Sequence, residues 1–175
     1  MRDYYRSYDG ERNSPLYEPM RDVVAEMGKA MWSFAQIKEM TWYGWGYAGI
    51  TAAIHYLEHT MPEYIDQFKG LMAQLGLPIA YPPIPELKAQ YGDLKQVFDA
   101  CLEIIDSVNE ALSRFIEVAD TSRFEPLARK AENIQMLNYE PRAWLTHARA
   151  MAENDVSASS IDSWLAHTLE APQKE

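Results

Sequence analysis

The stretch Leu77-Pro-Ile-Ala-Tyr-Pro-Pro-Ile-Pro85 determines how the segments on either side of it can be arranged. Its four prolines lack the backbone N–H that a helix uses, so the stretch predicts an extended connection. Gly76, directly before it, is the residue type that most often follows the end of a helix. We therefore predict a long crossover here, with helical segments before and after it.

Two long helices are predicted before the crossover. Apolar residues recur at spacings of three and four over residues 16–43 and again over residues 50–75, which is the period of an amphipathic helix. The glycines within residues 42–49 predict a turn between the two helices. The residues expected in the core of this helix pair are Met20, Val23, Met27, Ala30, Phe34, Ile37, Thr41, Ile50, Ile54, Leu57, Met61, Ile65, Phe68, Met72 and Leu75.

Three further helices are predicted after the crossover, at residues 93–119, 123–154 and 160–169. Proline interrupts the hydrogen bonding of a helix, so Pro62 is expected to kink or restart the second helix and Pro141 to divide the fourth. The directions of His55 and His147 depend on these two interruptions and stay open. The apolar positions expected in the core from the fourth helix are Leu127, Ala131, Ile134, Leu137, Trp144, Leu145, Ala148 and Met151.

The fold class that follows from this order of segments is all-α. No segment shows the period-two alternation of a strand. Two long helices, a long crossover, two more long helices and a short C-terminal helix make up a ferritin-like four-helix bundle, which we predict for residues 16–170. Residues 1–15 are polar and rich in tyrosine and arginine, and they are predicted to be a flexible N-terminal arm.

Composition excludes several classes of partner. The chain of 175 residues has a net charge of −10, so its field repels nucleic acid and DNA binding is disfavoured. No apolar run approaches the roughly 18 residues that a membrane span needs, so no membrane partner is expected. The single cysteine, Cys101, excludes an internal disulfide and fits a reducing compartment, which favours a cytoplasmic location.

The densest group of candidate metal ligands is His55-Tyr-Leu-Glu58-His59. His55 and His59 lie one helical turn apart with Glu58 alongside, and Asp66 lies two turns further along the same flank. Glu39, late in the first helix, is a further candidate helper. Carboxylates combined with imidazoles suit iron or manganese. An exposed histidine pair without a metal is the alternative interpretation of this stripe, which lies beside the core stripe and not on it.

Three short motifs within residues 41–78 connect the chain to a known family. Thr41-Trp42-Tyr-Gly-Trp-Gly46 keeps the Trp and Gly of a His-Trp-Asn-x-x-Gly stretch, Asp66 keeps the Asp of Asp-x-x-x-Glu-Arg, and Leu75-Gly76-Leu-Pro78 keeps a Leu-Gly-x-Pro turn. With the helix lengths and the crossover, these motifs resemble the Dps family, the DNA-protection-during-starvation branch of the ferritin-like proteins. Thr41 and Gly70 stand where the family has a ligand His and a ligand Glu.

The resemblance implies a ferritin-like fold, iron as the bound metal, ligands shared between two subunits, and twelve subunits in a shell. On this basis we predict a Dps/ferritin-like stress protein that binds iron and oxidises or sequesters it, with His55, Asp66, Glu58, His59 and Glu39 as metal-site residues.

Two other hypotheses stay open. One is a metal-free helical oligomerisation or interaction module with a degenerate ferritin-like fold, using residues 42–47 and the arm tyrosines Tyr4, Tyr5 and Tyr8 as contact surfaces. The other is a two-metal oxidase within one bundle, which would need carboxylates from the later helices turned inward, namely Glu103 or Asp106 together with Glu132.

Overall fold

A computed structural model describes residues 14–78 and 90–170. Those ranges form five α-helices and no strand: α1 Tyr17–Glu39, α2 Ala48–Gln74, α3 Leu94–Thr121, α4 Glu125–Glu153 and α5 Ala158–Glu170. A π-helical segment, Met40–Gly44, continues α1. The all-α prediction is confirmed. The predicted arm, apart from its last two residues, and residues 79–85 of the predicted crossover lie outside the described residues.

The four long helices form a ring that α5 completes. α1 packs against α2 and α3, and α3 packs against α4. α2 and α4 touch at few places, and α5 contacts both of them. Ile161 and Leu165 of α5 are fully buried in the resulting core. The short last helix therefore closes the side of the ring where α2 and α4 face each other.

The core follows the apolar stripes of the sequence. Every position predicted to be buried on α1, the π-helical segment and α2 is buried, except Leu75, which is half-buried. Phe68 of α2 and Phe115 of α3 meet edge to face with ring centroids 5.3 Å apart, a favoured arrangement for buried aromatic rings. The spacing of apolar residues thus places both helix faces correctly.

Local hydrogen bonds define the helix ends. The Asp93 side chain accepts a hydrogen bond of 2.8 Å from the Gln96 amide and caps α3. Gly76, two residues past the end of α2, adopts φ +70°, a conformation that glycine reaches without strain. Leu77 N then donates to the Met72 carbonyl at 2.8 Å, which ends α2 where the sequence predicted.

Helix α5 supplies a cap to another helix. The amide of Ile50, in the first turn of α2, donates a 2.8 Å hydrogen bond to the Asp162 carboxylate. Gly49 makes this approach possible because a Cβ there would lie 2.0 Å from the Asp162 carbonyl oxygen. The N-terminus of α2 and the body of α5 are consequently held together by backbone contact and by a charge-assisted hydrogen bond.

The expected break at Pro141 is wrong, and α2 also shows no restart at Pro62. Both helices run without interruption through their prolines. Pro141 is buried where α4 approaches α2 and α5, so packing offsets the hydrogen bond that proline cannot make. Continuity also decides the register of α4: Leu137 is 61% exposed, against prediction. Asn138 is buried instead and donates a 2.8 Å hydrogen bond to Asn109 Oδ1.

Candidate metal site

The interior of the bundle offers no place for a metal ion within the described ranges. No carboxylate or histidine there is buried, and Thr41 and Asn138 are the only buried side chains classed as polar or charged. Glu103, Asp106 and Glu132 are all exposed. The inward-facing carboxylates that a two-metal centre within one bundle requires are therefore not present among these residues, and that hypothesis is not supported.

The candidate ligands on α2 come together on its outer surface. His55 Nδ1 lies 3.1 Å from Glu58 Oε2, and the rings of His55 and His59 meet edge to face with centroids 4.3 Å apart. One ligand atom from each of the three residues lies within 4.8 Å of the others. Spacings of three and four residues bring side chains to one helical face, which is how the sequence produces this group. We call His55, Glu58 and His59 the α2 cluster.

Lys38 of α1 is bound to the α2 cluster, and sequence reasoning missed it. Its Nζ donates to Glu58 Oε2 at 2.7 Å and lies 3.7 Å from Glu39 Oε1. Burial raises the pKa of the Glu58 carboxyl, but hydrogen bonds from Lys38 and His55 outweigh burial and hold that pKa below its usual value. The hydrogen bond to Glu58 raises the pKa of Lys38. Glu58 is therefore an ionised carboxylate whose charge an ammonium group already balances.

Asp66 and Glu39 do not join the α2 cluster within one chain. Asp66 comes seven residues after His59, about 10 Å further along the axis at 1.5 Å per residue. Its side chain is 76% exposed and lies 3.3 Å from Lys69 Nζ. The Glu39 side chain is exposed and faces Lys38. Either carboxylate reaches an ion at the α2 cluster only by contribution from another subunit or by rearrangement.

His147 lies elsewhere on the bundle. It is exposed on α4 and packs against Trp164 of α5, with ring centroids 4.6 Å apart. Among the residues that the structure describes, the α2 cluster is the one group of three or more ligand-type side chains with metal-binding spacing. A site made of His55, His59 and His147 is not formed.

The two positions that carry family ligands by resemblance have other roles here. Thr41 is fully buried, and its hydroxyl donates to the Lys38 carbonyl at 3.0 Å and lies 3.0 Å from Thr51 Oγ1. This contact links the end of α1 to the start of α2. Gly70 is exposed, and a Cβ built on it would meet nothing within 4 Å. Neither position offers a metal ligand.

Comparisons with known proteins bear on the fold. No protein-family model and no curated protein matches the chain. Solved structures do: an open-pore ferritin from Archaeoglobus fulgidus superposes with a TM-score of 0.77 at 10% identity, over 88% of this chain and 97% of that one. An engineered closed form of that ferritin gives 0.76 at 10% identity, over 88% and 96% of the two chains.

A further solved structure, a variant of PmFTN soaked in iron, matches with a TM-score of 0.76 at 13% identity, covering 86% of this chain and 96% of that one. Identities this low bear on the fold alone. The superpositions confirm the predicted ferritin-like four-helix bundle.

Within the described ranges, none of the helices combines the length and apolar character that crossing a bilayer requires.

Proposed function

We propose that the protein is a ferritin-like, Dps-type metal-binding protein and that it binds Fe²⁺ through His55, Glu58 and His59. The observation that carries the proposal is the convergence of three ligand atoms within 4.8 Å on an open face of α2. The shared fold with ferritins, one of which was studied soaked in iron, supports iron as the ion.

The donor set suits such an ion. Two imidazoles and one carboxylate are a ligand combination used for Fe²⁺, and three protein ligands leave coordination positions free for other ligands. An ion held this way is accessible from solvent, because both histidines are exposed. Oxidation or storage of the bound iron is the function that we propose for this open arrangement.

Assembly into a symmetric homo-oligomer is part of the same proposal, with twelve subunits if the Dps resemblance extends that far. In an oligomer, Asp66 of a second subunit could complete the coordination that the α2 cluster begins. A cytoplasmic location and a role in stress response belong to this proposal. DNA binding does not, because the net charge of −10 opposes it.

Anaerobic titration calorimetry with Fe²⁺ tests the site. We expect about one ion per chain with a sub-millimolar dissociation constant, weakened about tenfold or more when His55 and His59 are both replaced by alanine. His167→Ala, which removes an exposed histidine from α5, is the matched control and should leave binding unchanged. Equal affinity in the wild type and the double variant would overturn the assignment.

Asp66→Ala separates two forms of the site. If one chain binds the ion alone, this variant keeps the wild-type affinity, because Asp66 lies about 10 Å along the helix from His59. If a neighbouring subunit contributes Asp66, the affinity falls and the loss depends on assembly. Measuring the variant above and below the concentration at which the oligomer dissociates distinguishes the two.

A metal-free interaction module is the second candidate function, and exposed aromatic side chains favour it. Trp42 and Tyr43 of the π-helical segment are 49% and 80% exposed, and large exposed aromatics are frequent anchors at interfaces. Tyr4, Tyr5 and Tyr8, the other predicted contacts, lie outside the described residues. Light-scattering mass decides between the candidates: a shell of about twelve subunits supports the first, whereas a monomer or dimer without metal supports the second.

A further inference from the structure

The oxygen of Glu58 that faces His55 already accepts a hydrogen bond from Lys38. Glu58 Oε2 lies 3.1 Å from His55 Nδ1 and also accepts the 2.7 Å hydrogen bond from Lys38 Nζ. The Lys38 and Glu58 side chains are each only 20% exposed, so the ion pair is shielded from water. A metal ion placed between His55 Nδ1 and the Glu58 carboxylate therefore meets the same oxygen atom that the ammonium group occupies.

We propose that Lys38 is a tethered cation that competes with the metal ion for Glu58 and thereby sets the affinity of the α2 cluster. This inference rests on the proposed function, because it concerns the same site. The ammonium group and a divalent ion cannot both lie against Oε2, since like charges repel at such short separations. Metal binding at Oε2 consequently requires Lys38 to leave that oxygen.

Glu39 supplies a place for the released lysine. Its Oε1 lies 3.7 Å from Lys38 Nζ in the present arrangement, just beyond hydrogen-bond distance. The Glu39 side chain is 58% exposed, so it can follow the ammonium group without leaving a buried charge behind. In this scheme Glu39 is a positioning residue that accepts Lys38 when the metal arrives, and it does not itself contact the ion.

The test is the dissociation constant for Fe²⁺, measured anaerobically by calorimetry, in wild type and Lys38→Met. We expect the variant to bind about fivefold more tightly, which corresponds to ~1 kcal/mol, the upper range for a partly exposed ion pair. Lys29→Met is the matched control, because it removes the same charge from α1 at a lysine that pairs with Glu26. The control should change the affinity little.

Glu39→Gln gives a second and independent measurement. If Glu39 only receives Lys38, the variant weakens binding in the wild-type background and has no effect in the Lys38→Met background. If Glu39 is itself a ligand, the loss is the same in both backgrounds and its assigned role is overturned. The double-variant cycle therefore distinguishes a positioning residue from a ligand.

The outcomes separate this inference from the function on which it rests. Loss of binding in His55→Ala/His59→Ala together with unchanged affinity in Lys38→Met keeps the metal site and overturns the competition. Weaker binding in Lys38→Met also overturns it, because that result means that Lys38 holds Glu58 in place for the ion. No binding in any of these proteins, wild type included, overturns the proposed function itself.

Discussion

Replacing Gly70 with alanine is expected to stabilise the protein. Gly70 lies inside α2, and a Cβ there would meet nothing within 4 Å. Alanine at an exposed interior helix position is more stable than glycine by about 0.5–1 kcal/mol, because glycine loses more backbone entropy on folding. For a chain of this size, 1 kcal/mol raises the melting temperature by about 2–4 °C.

The same substitution at Gly49, in the same helix, should destabilise the protein. A Cβ there would lie 2.0 Å from the Asp162 carbonyl oxygen and 3.1 Å from Ala166 Cβ, both on α5. Backbone atoms cannot rotate away as a side chain can, so α5 must shift by about 1 Å or more. Overpacking of this kind costs about 1–3 kcal/mol, and the shift also pulls the Asp162 carboxylate from the Ile50 amide.

Urea unfolding followed by circular dichroism measures both variants against the wild type, at several protein concentrations so that assembly is accounted for. A Gly49→Ala protein as stable as the wild type would refute the close contact between α2 and α5. A Gly70→Ala protein less stable than the wild type would show that another surface, such as a second subunit, covers this position. We expect the free energy of unfolding to rise in Gly70→Ala and to fall in Gly49→Ala, although both variants carry the same substitution in the same helix.

Three further predictions concern the rest of the bundle. Hydrogen bonds from Lys95 and Arg149 lower the pKa of Asp99 in the folded protein. Its contribution to the free energy of unfolding, up to ~1 kcal/mol for a surface pair, is therefore present above its unfolded pKa of about 3.9 and lost as pH falls through the folded value. Asp99→Asn should lower the urea midpoint at neutral pH and leave it nearly equal to wild type in strong acid. Asn138→Ala removes the partner of the Asn109 side-chain oxygen and should lower the free energy of unfolding by about 1–3 kcal/mol in the same assay; an unchanged midpoint would mean that water replaces the amide. Burial raises the pKa of Cys101 to about 12, so a thiol reagent at mildly alkaline pH should label it only as fast as the protein opens, and rapid labelling of the native protein would contradict its burial.

Features of the fold that depend on a single helix could be predicted from the sequence, whereas features that depend on the packing of two helices could not. Periodicity placed the core faces of α1 and α2, since burying an apolar stripe needs only the 3.6-residue repeat. In α4 the residue after Ile134 on the buried face is Asn138, four positions on, and not the apolar Leu137 at three. The choice between these spacings depends on two facts: α4 continues through Pro141 without a break, and Asn109 of α3 lies opposite and pairs with Asn138. The local sequence pattern of α4 indicates neither of them.

The site divides in the same way. His55, Glu58 and His59 could be grouped from the sequence because three- and four-residue spacings share a helical face. Lys38 could not, because its contact with Glu58 depends on the register of α1 against α2, which is set by packing across the pair. Asp66 was grouped with His55 because the two residues share one flank of α2. Their separation along the helix axis is too large for both side chains to reach one ion within a single chain.

The cap that α5 gives to α2 should be detectable in the hydrogen-exchange rates of individual amides. The Ile50 amide depends on the Asp162 carboxylate for its hydrogen bond, although the two residues are far apart in sequence. When α5 detaches in a partial opening, that amide loses its protection together with the amides of α5 itself. The first turn of α2 and the last helix should then exchange as one cooperative unit with a common opening free energy, while the middles of α1 and α3 open only with the whole molecule.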